Sequence, residues 1–146
     1  MAVLASVIDR VLFIRWVSTP DESDLTRMDE VMAQAAAVAG TKPFFHISVL
    51  PPGATMPESK VQKGLMRRIL KLRSRCQTLH AVYPGTNVRD AVVRRFLKGM
   101  VTLMGMKGKA FVHATIAEAV TQIATGLEMP AADVVAAAEK LNATPA

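Results

Sequence analysis

Short β-branched runs alternate with longer segments of helical period along this chain, and that alternation limits the fold more than any other feature. "AVLASVID" and "RVLFIRWVS" read as two strands joined by a tight turn at Asp9-Arg10. "STPDESDL" opens a helix, with Ser18 or Thr19 as cap, Pro20 in the first turn, and Asp21, Glu22 and Asp24 complementing the dipole. Its apolar stripe, Leu25, Met28, Met32, Ala35 and Ala39, runs to a stop at Gly40. The strand "KPFFHISVL", the turn-rich loop "PPGATMPES" and a second helix follow, the helix with Val61, Leu65, Ile69, Leu72 and Cys76 on one face. "QTLHAVY" is a strand and "PGTN" ends it. Asn87 caps a third helix, where Val88, Val92, Phe96, Met100 and Leu103 are expected to face inward, and Val93, Leu97 and Met104 outward. "AFVHATI" is the last strand. Thr115 caps a helix from Ala117 to about Leu127, Met129-Pro130 breaks the chain, and a terminal helix spans 131–142.

The order β-β-α-β-α-β-α-β-α-α implies an α/β fold with crossovers of one hand. We expect a single domain over residues 1–146, with a core of about 1–127 and helix 131–142 as an extension. An N-terminal β-hairpin leads into a mixed, mainly parallel sheet. Within the strands, polar and apolar residues alternate with period two. His46 and Ser48 oppose Phe45 and Ile47, Thr78 and His80 oppose Leu79 and Ala81, and His113 opposes Val112 and Ala114. This alternation predicts one helix-covered sheet face and one partly polar face, with helices mostly on one side. All three histidines, His46, His80 and His113, are expected on the polar face. A row of imidazoles for a metal or a proton is the sharper reading. Polar residues tolerated on a half-open face is the favoured one, because no acid sits beside them to complete a ligand set.

The motifs of common enzymes are missing. There is no glycine-rich nucleotide loop and no nucleophile elbow. The single cysteine, Cys76, excludes an internal disulfide or a cysteine-rich zinc site and suits a reducing, cytoplasmic setting. It is expected to be a buried structural thiol. Asp9, Arg10 and Arg15 interrupt the apolar N-terminal run, so it is read as strands rather than a signal sequence, and no run is long enough for a transmembrane segment. We expect no catalytic residues, no metal and no cofactor.

The net charge of +6 is concentrated. Residues 1–50 carry net −2, residues 51–110 net +11, and residues 111–146 net −3. "KVQKGLMRRILKLRSRC" alone holds seven bases and no acid. On neighbouring second and third helices, Lys60, Lys63, Arg67, Arg68, Lys71, Arg75, Arg94, Arg95 and Lys98 would form one positive surface that attracts an acidic partner. Leu70 and Leu97 lie among these charges and give the patch the character of a protein interface.

The element order, with "MPESKV" after the second of the inner strands, resembles the STAS domain, the fold of bacterial anti-sigma-factor antagonists and of sulphate-transporter tails. The resemblance covers the chain to about Leu127. That family often carries an Asp-Ser-Ser-Gly-Leu run there, with a phosphorylated serine. Here Pro57 stands at the aspartate, Glu58 at that serine, Ser59 one place later, and Lys60 at the glycine. The resemblance implies a bacterial regulatory domain acting by protein–protein contact, with Glu58 and Ser59 as a candidate phosphorylation region. Proline, acid and serine also favour a helix start, and this is the preferred reading of "PES". Docking of an acidic protein on the basic helices is the expected function, with the loop "PPGATMPES" as a second site. The alternative is an electrostatic binder of nucleic acid or anionic lipid, though no aromatic platform accompanies the charge. A homodimer is open, opposed by like charge on the basic face.

Overall fold

Asp9 adopts a left-handed backbone, φ 54°, and turns β1 (Val3–Ile8) back onto β2 (Val11–Trp16) as an antiparallel pair. Asp is one of the few residues other than glycine that tolerates this conformation. Its Oδ2 accepts the backbone N–H groups of Glu128 and Met129 at 2.8 and 2.9 Å, which ties the turn to the connection before the last helix. The computed structural model describes residues 3–40, 42, 44–51 and 57–144.

The remaining elements are α1 (Glu22–Ala39), β3 (Phe44–Val49), α2 (Ser59–Arg75), β4 (Cys76–Val82), α3 (Val88–Leu103), β5 (Ala110–His113), α4 (Ile116–Ile123) with a 3-10 turn at Ala124–Gly126, and α5 (Ala131–Asn142). Asp21 caps α1 in place of Ser18 or Thr19. Its carboxylate accepts from the amides of Ser23 and Asp24, and the Asp24 carboxylate accepts from Asp21 N–H, a reciprocal capping box. Asn87 and Thr115 cap α3 and α4 as the sequence indicates, and Gly40 closes α1 at φ 63°.

The sheet runs in the order β1-β2-β3-β4-β5, with every pair after the first parallel. The strands follow one another in one direction, so crossovers of one hand must all pass over the same face. One core layer accordingly holds Leu12, Ile14, Phe44 and Leu79 against Met28, Val31 and Met32 of α1 and Leu72 of α2. Val101 and Met104, at the end of α3, pack against it. Three of the five helices therefore share a face. The other face is closed as well: Phe13, Phe45, Ile47 and Val49 pack against Ile116, Val120 and Ile123 of α4 and Val134 and Ala138 of α5. The strand polarity alone left that second layer unforeseen.

The histidines do not form one row. His46 pairs with Leu79 across β3 and β4, and His80 pairs with Ile47. His46 thus shares the α1–α2 face with Leu12, its partner on β2, whereas His80 and His113 lie on the α4–α5 face. A register shift between Phe44 and His46 accompanies this pairing.

Candidate functional site

The basic helices are where the sequence places them, but their charges divide into two groups. Arg68 is half-buried between α1 and α2. Its Nε and Nη2 bind Asp29 Oδ1 and Oδ2 at 3.0 and 2.8 Å, Nε also reaches Leu25 O at 3.2 Å, and Nη1 reaches Gly64 O at 3.0 Å. Arg94 is half-buried too, and its Nη1 donates to Tyr83 O at 2.8 Å and Gly85 O at 3.0 Å. Lys60 bridges to Glu22 at 2.7 Å at the start of the two helices, and that hydrogen bond raises its pKa. Arg68 and Arg94 tie their helices to neighbouring backbone, whereas the Lys60–Glu22 pair is exposed on both sides. Lys63, Arg67, Lys71, Arg75, Arg95 and Lys98 are exposed, as are Arg73 and Arg89, and none of them makes an ion pair within 4.0 Å among the described residues.

The apolar partition of α3 is the reverse of the expected one except at Met100, which is half-buried as expected. Val88, Val92, Phe96 and Leu103 are 82%, 59%, 63% and 83% exposed. Val93 and Leu97 are half-buried, on the same inward side as Val101 and Met104. Asp90 is buried on that side as well, its amide bound to Asn87 Oδ1 at 2.9 Å. The third helix carries two apolar rows, and the one that faces the sheet lies on the same side as Asp90 and Arg94. Leu97 therefore leaves the expected docking set, and Val88, Val92, Phe96 and Leu103 enter it. Leu70 stays, 48% exposed on the outer side of α2, with Met66 at 36% nearby. Two apolar rows at helical spacing on one helix were the signal in the sequence.

Glu58 and Ser59 are exposed at the start of α2, where Glu58 is the N-cap but makes no side-chain hydrogen bond to the helix. Asp21, Glu22 and Glu58 line the open depression beside them, an acidic setting for any added phosphate. Residues 52–56 of the loop proposed as a second site lie outside the described residues.

Burial lowers the pKa of each of the three histidines. His46 Nδ1 donates to Leu12 O at 3.1 Å, which leaves Nε2 to accept from Ser48 Oγ at 2.8 Å. Burial pushes its pKa down to about 4, against the raising effect of that carbonyl. His80 Nδ1 and His113 Nε2 are 2.8 Å apart, with ring planes within 18°, and Thr78 Oγ1 lies 2.8 Å from His80 Nε2. Burial and then the neighbouring His113 press His80 down to about 4, and burial lowers His113. Among the described residues, no group of three or more His, Cys, Asp or Glu could hold a metal ion. No helix among them is long and apolar enough to cross a membrane.

Comparison of the chain with protein-family models, curated proteins and solved structures finds no match. The surface of α2 and α3 is thus the feature from which a function can be argued.

Proposed function

We propose that this chain is a non-enzymatic, STAS-like regulatory domain of the bacterial cytoplasm. It docks an acidic protein through the outer surface of α2 and α3. One observation carries the reading: four large apolar side chains stand exposed on α3 amid exposed arginines and lysines. Scattered surface hydrophobes need no explanation, but a row of them rimmed by Arg is the composition of an interface. The arginines add bidentate contacts and speed encounter with an acidic surface. The STAS resemblance supports the same reading, since those domains act through partners.

A second reading, an anionic membrane surface, draws on the same row, because apolar residues flanked by bases also mark interfacial helices. Against it, the only Trp and Tyr, Trp16 and Tyr83, are buried and cannot anchor in the headgroup layer.

The test is capture from the native host with the wild type and with Arg67→Glu/Lys71→Glu/Arg95→Glu. These residues are exposed, so the fold should persist, as circular dichroism would check. An acidic protein bound in fixed stoichiometry by the wild type, and lost from the variant, supports docking. Loss of only nucleic acid or lipid from the variant would replace it with the electrostatic alternative.

A further inference from the structure

We infer that the outer face of α3 is a seam for a helix, and that its occupant is an acidic amphipathic helix of another protein. This deepens the docking reading and rests on it. Val88, Val92, Phe96, Gly99 and Leu103 follow one another at spacings of 4, 4, 3 and 4. At 3.6 residues per turn they occupy about 80° of the helix circumference and run for about 22 Å. A seam that narrow is what one helix offers another, whereas a helix that sinks into a bilayer needs a broader apolar face. Gly99 is exposed and opens a hollow between Phe96 and Leu103, since a Cβ there would meet no atom within 4 Å. Phe96 is the natural knob and the Gly99 hollow the natural hole.

Charge selects the occupant. Arg89 flanks the seam on one side, and Arg95 and Lys98 on the other. In paired helices, residues flanking the apolar seam choose the partner by sign. The only acid on α3 is Asp90, which is buried on the opposite side. A second copy would therefore set Arg89, Arg95 and Lys98 against cations with no compensating carboxylate. A helix with a leucine-rich stripe edged by Glu or Asp matches both the apolar row and its rims.

The probe is a synthetic amphipathic peptide of roughly three heptads, with leucine at a and d and glutamate at e and g. A second peptide carries lysine at e and g. The expected result is saturable one-to-one binding of the glutamate peptide, with backbone amide shifts concentrated in residues 88–103. Val92→Ser/Phe96→Ser should weaken it at least tenfold while leaving Tm unchanged, because both side chains are exposed. Arg89→Glu/Arg95→Glu/Lys98→Glu should switch the preference to the lysine peptide, an outcome that misfolding cannot imitate. If the serine variant binds the glutamate peptide as well as the wild type does, the seam is wrong while basic docking stands. If no peptide binds, yet an acidic host protein depends on Arg67, Lys71 and Arg95, the helical occupant is wrong and the docking reading survives. Binding to phosphatidylserine vesicles that needs Phe96, without peptide binding, overturns both. A concentration-dependent dimer that the serine variant abolishes would make a second copy the occupant and overturn the inference.

Discussion

The guanidinium of Arg68 grips the carboxylate of Asp29 through two hydrogen bonds, Nε to Oδ1 at 3.0 Å and Nη2 to Oδ2 at 2.8 Å. The same side chain satisfies Leu25 O and Gly64 O, so one arginine clamps α1 to α2. Arg67, its neighbour in sequence, is exposed and makes no ion pair within 4.0 Å among the described residues. Bidentate, charge-assisted pairs with half-buried donors are the stronger class of ionic contact. Arg68→Ala should therefore destabilise the fold by about 1–2 kcal/mol, and Arg67→Ala by less than about 0.5 kcal/mol. Urea denaturation of the two variants measures the difference. Equal, negligible losses would show that the clamp contributes nothing.

The clamp shows what the sequence concealed. Seven bases in one helix read as one surface, and the period of α2 does put most of them outside, but no spacing within α2 tells that Asp29 waits on α1 for Arg68. The order of elements along the chain and the boundaries of α5 were legible because period and punctuation are local. Register is not local. His46 and His80 each alternate correctly within their own strands, yet the pairing of β3 with β4 sets them on opposite faces. For α3, two apolar rows competed. The inward one contains Val93, Leu97, Val101 and Met104, and the outward one has an equally apolar pattern, because hydrophobicity alone does not distinguish a core from an interface. The C-terminal helices α4 and α5 follow the last strand, so no crossover rule places them, and strand polarity did not show that they cover the second sheet face.

The buried histidines make stability depend on pH in a defined window. His46 and His80 both have folded-state pKa values lowered from 6.5 to about 4. Between those values the unfolded chain takes up protons that the folded chain refuses. Their contribution is fully present above pH 6.5 and is lost as pH falls toward 4, at most about 1.4 kcal/mol per pH unit for each histidine. For His46 the cause is burial, which outweighs the raising effect of the hydrogen bond to Leu12 O. Unfolding free energy should fall from pH 7 to 4.5, and His46→Leu should remove about one proton from that slope, whatever it costs in absolute stability. A flat profile from pH 7 to 4.5 in the wild type would contradict the neutral buried assignment.

Cys76 opens β4 and is buried, and burial raises its thiol pKa to about 12 against the opposing charge of Lys109. The thiolate is the reactive form, so the native protein should resist alkylation despite the arginines before it in sequence. Iodoacetamide at pH 8 should leave the folded chain unmodified by mass spectrometry and modify it fully in denaturant. Native labelling at the rate of a free thiol would show that the end of α2 opens readily.

Two glycines should respond to alanine with opposite signs. Gly126, in the 3-10 turn after α4, lies against the ring of buried Phe45. A Cβ there would come within 2.5 Å of Phe45 Cζ and 2.9 Å of Cε2. The ring is held in the α4–α5 core layer and has little room to retreat, so Gly126→Ala should cost about 1–3 kcal/mol through overpacking. Gly99 sits inside α3 with open space where its Cβ would be, and its flexibility only weakens the helix. Gly99→Ala should stabilise by about 0.5–1 kcal/mol. Thermal melts of both variants against the wild type decide the matter. A stabilised Gly126→Ala would mean that Phe45 has more freedom than its buried position implies, and a destabilised Gly99→Ala would mean that the outer face of α3 is not open.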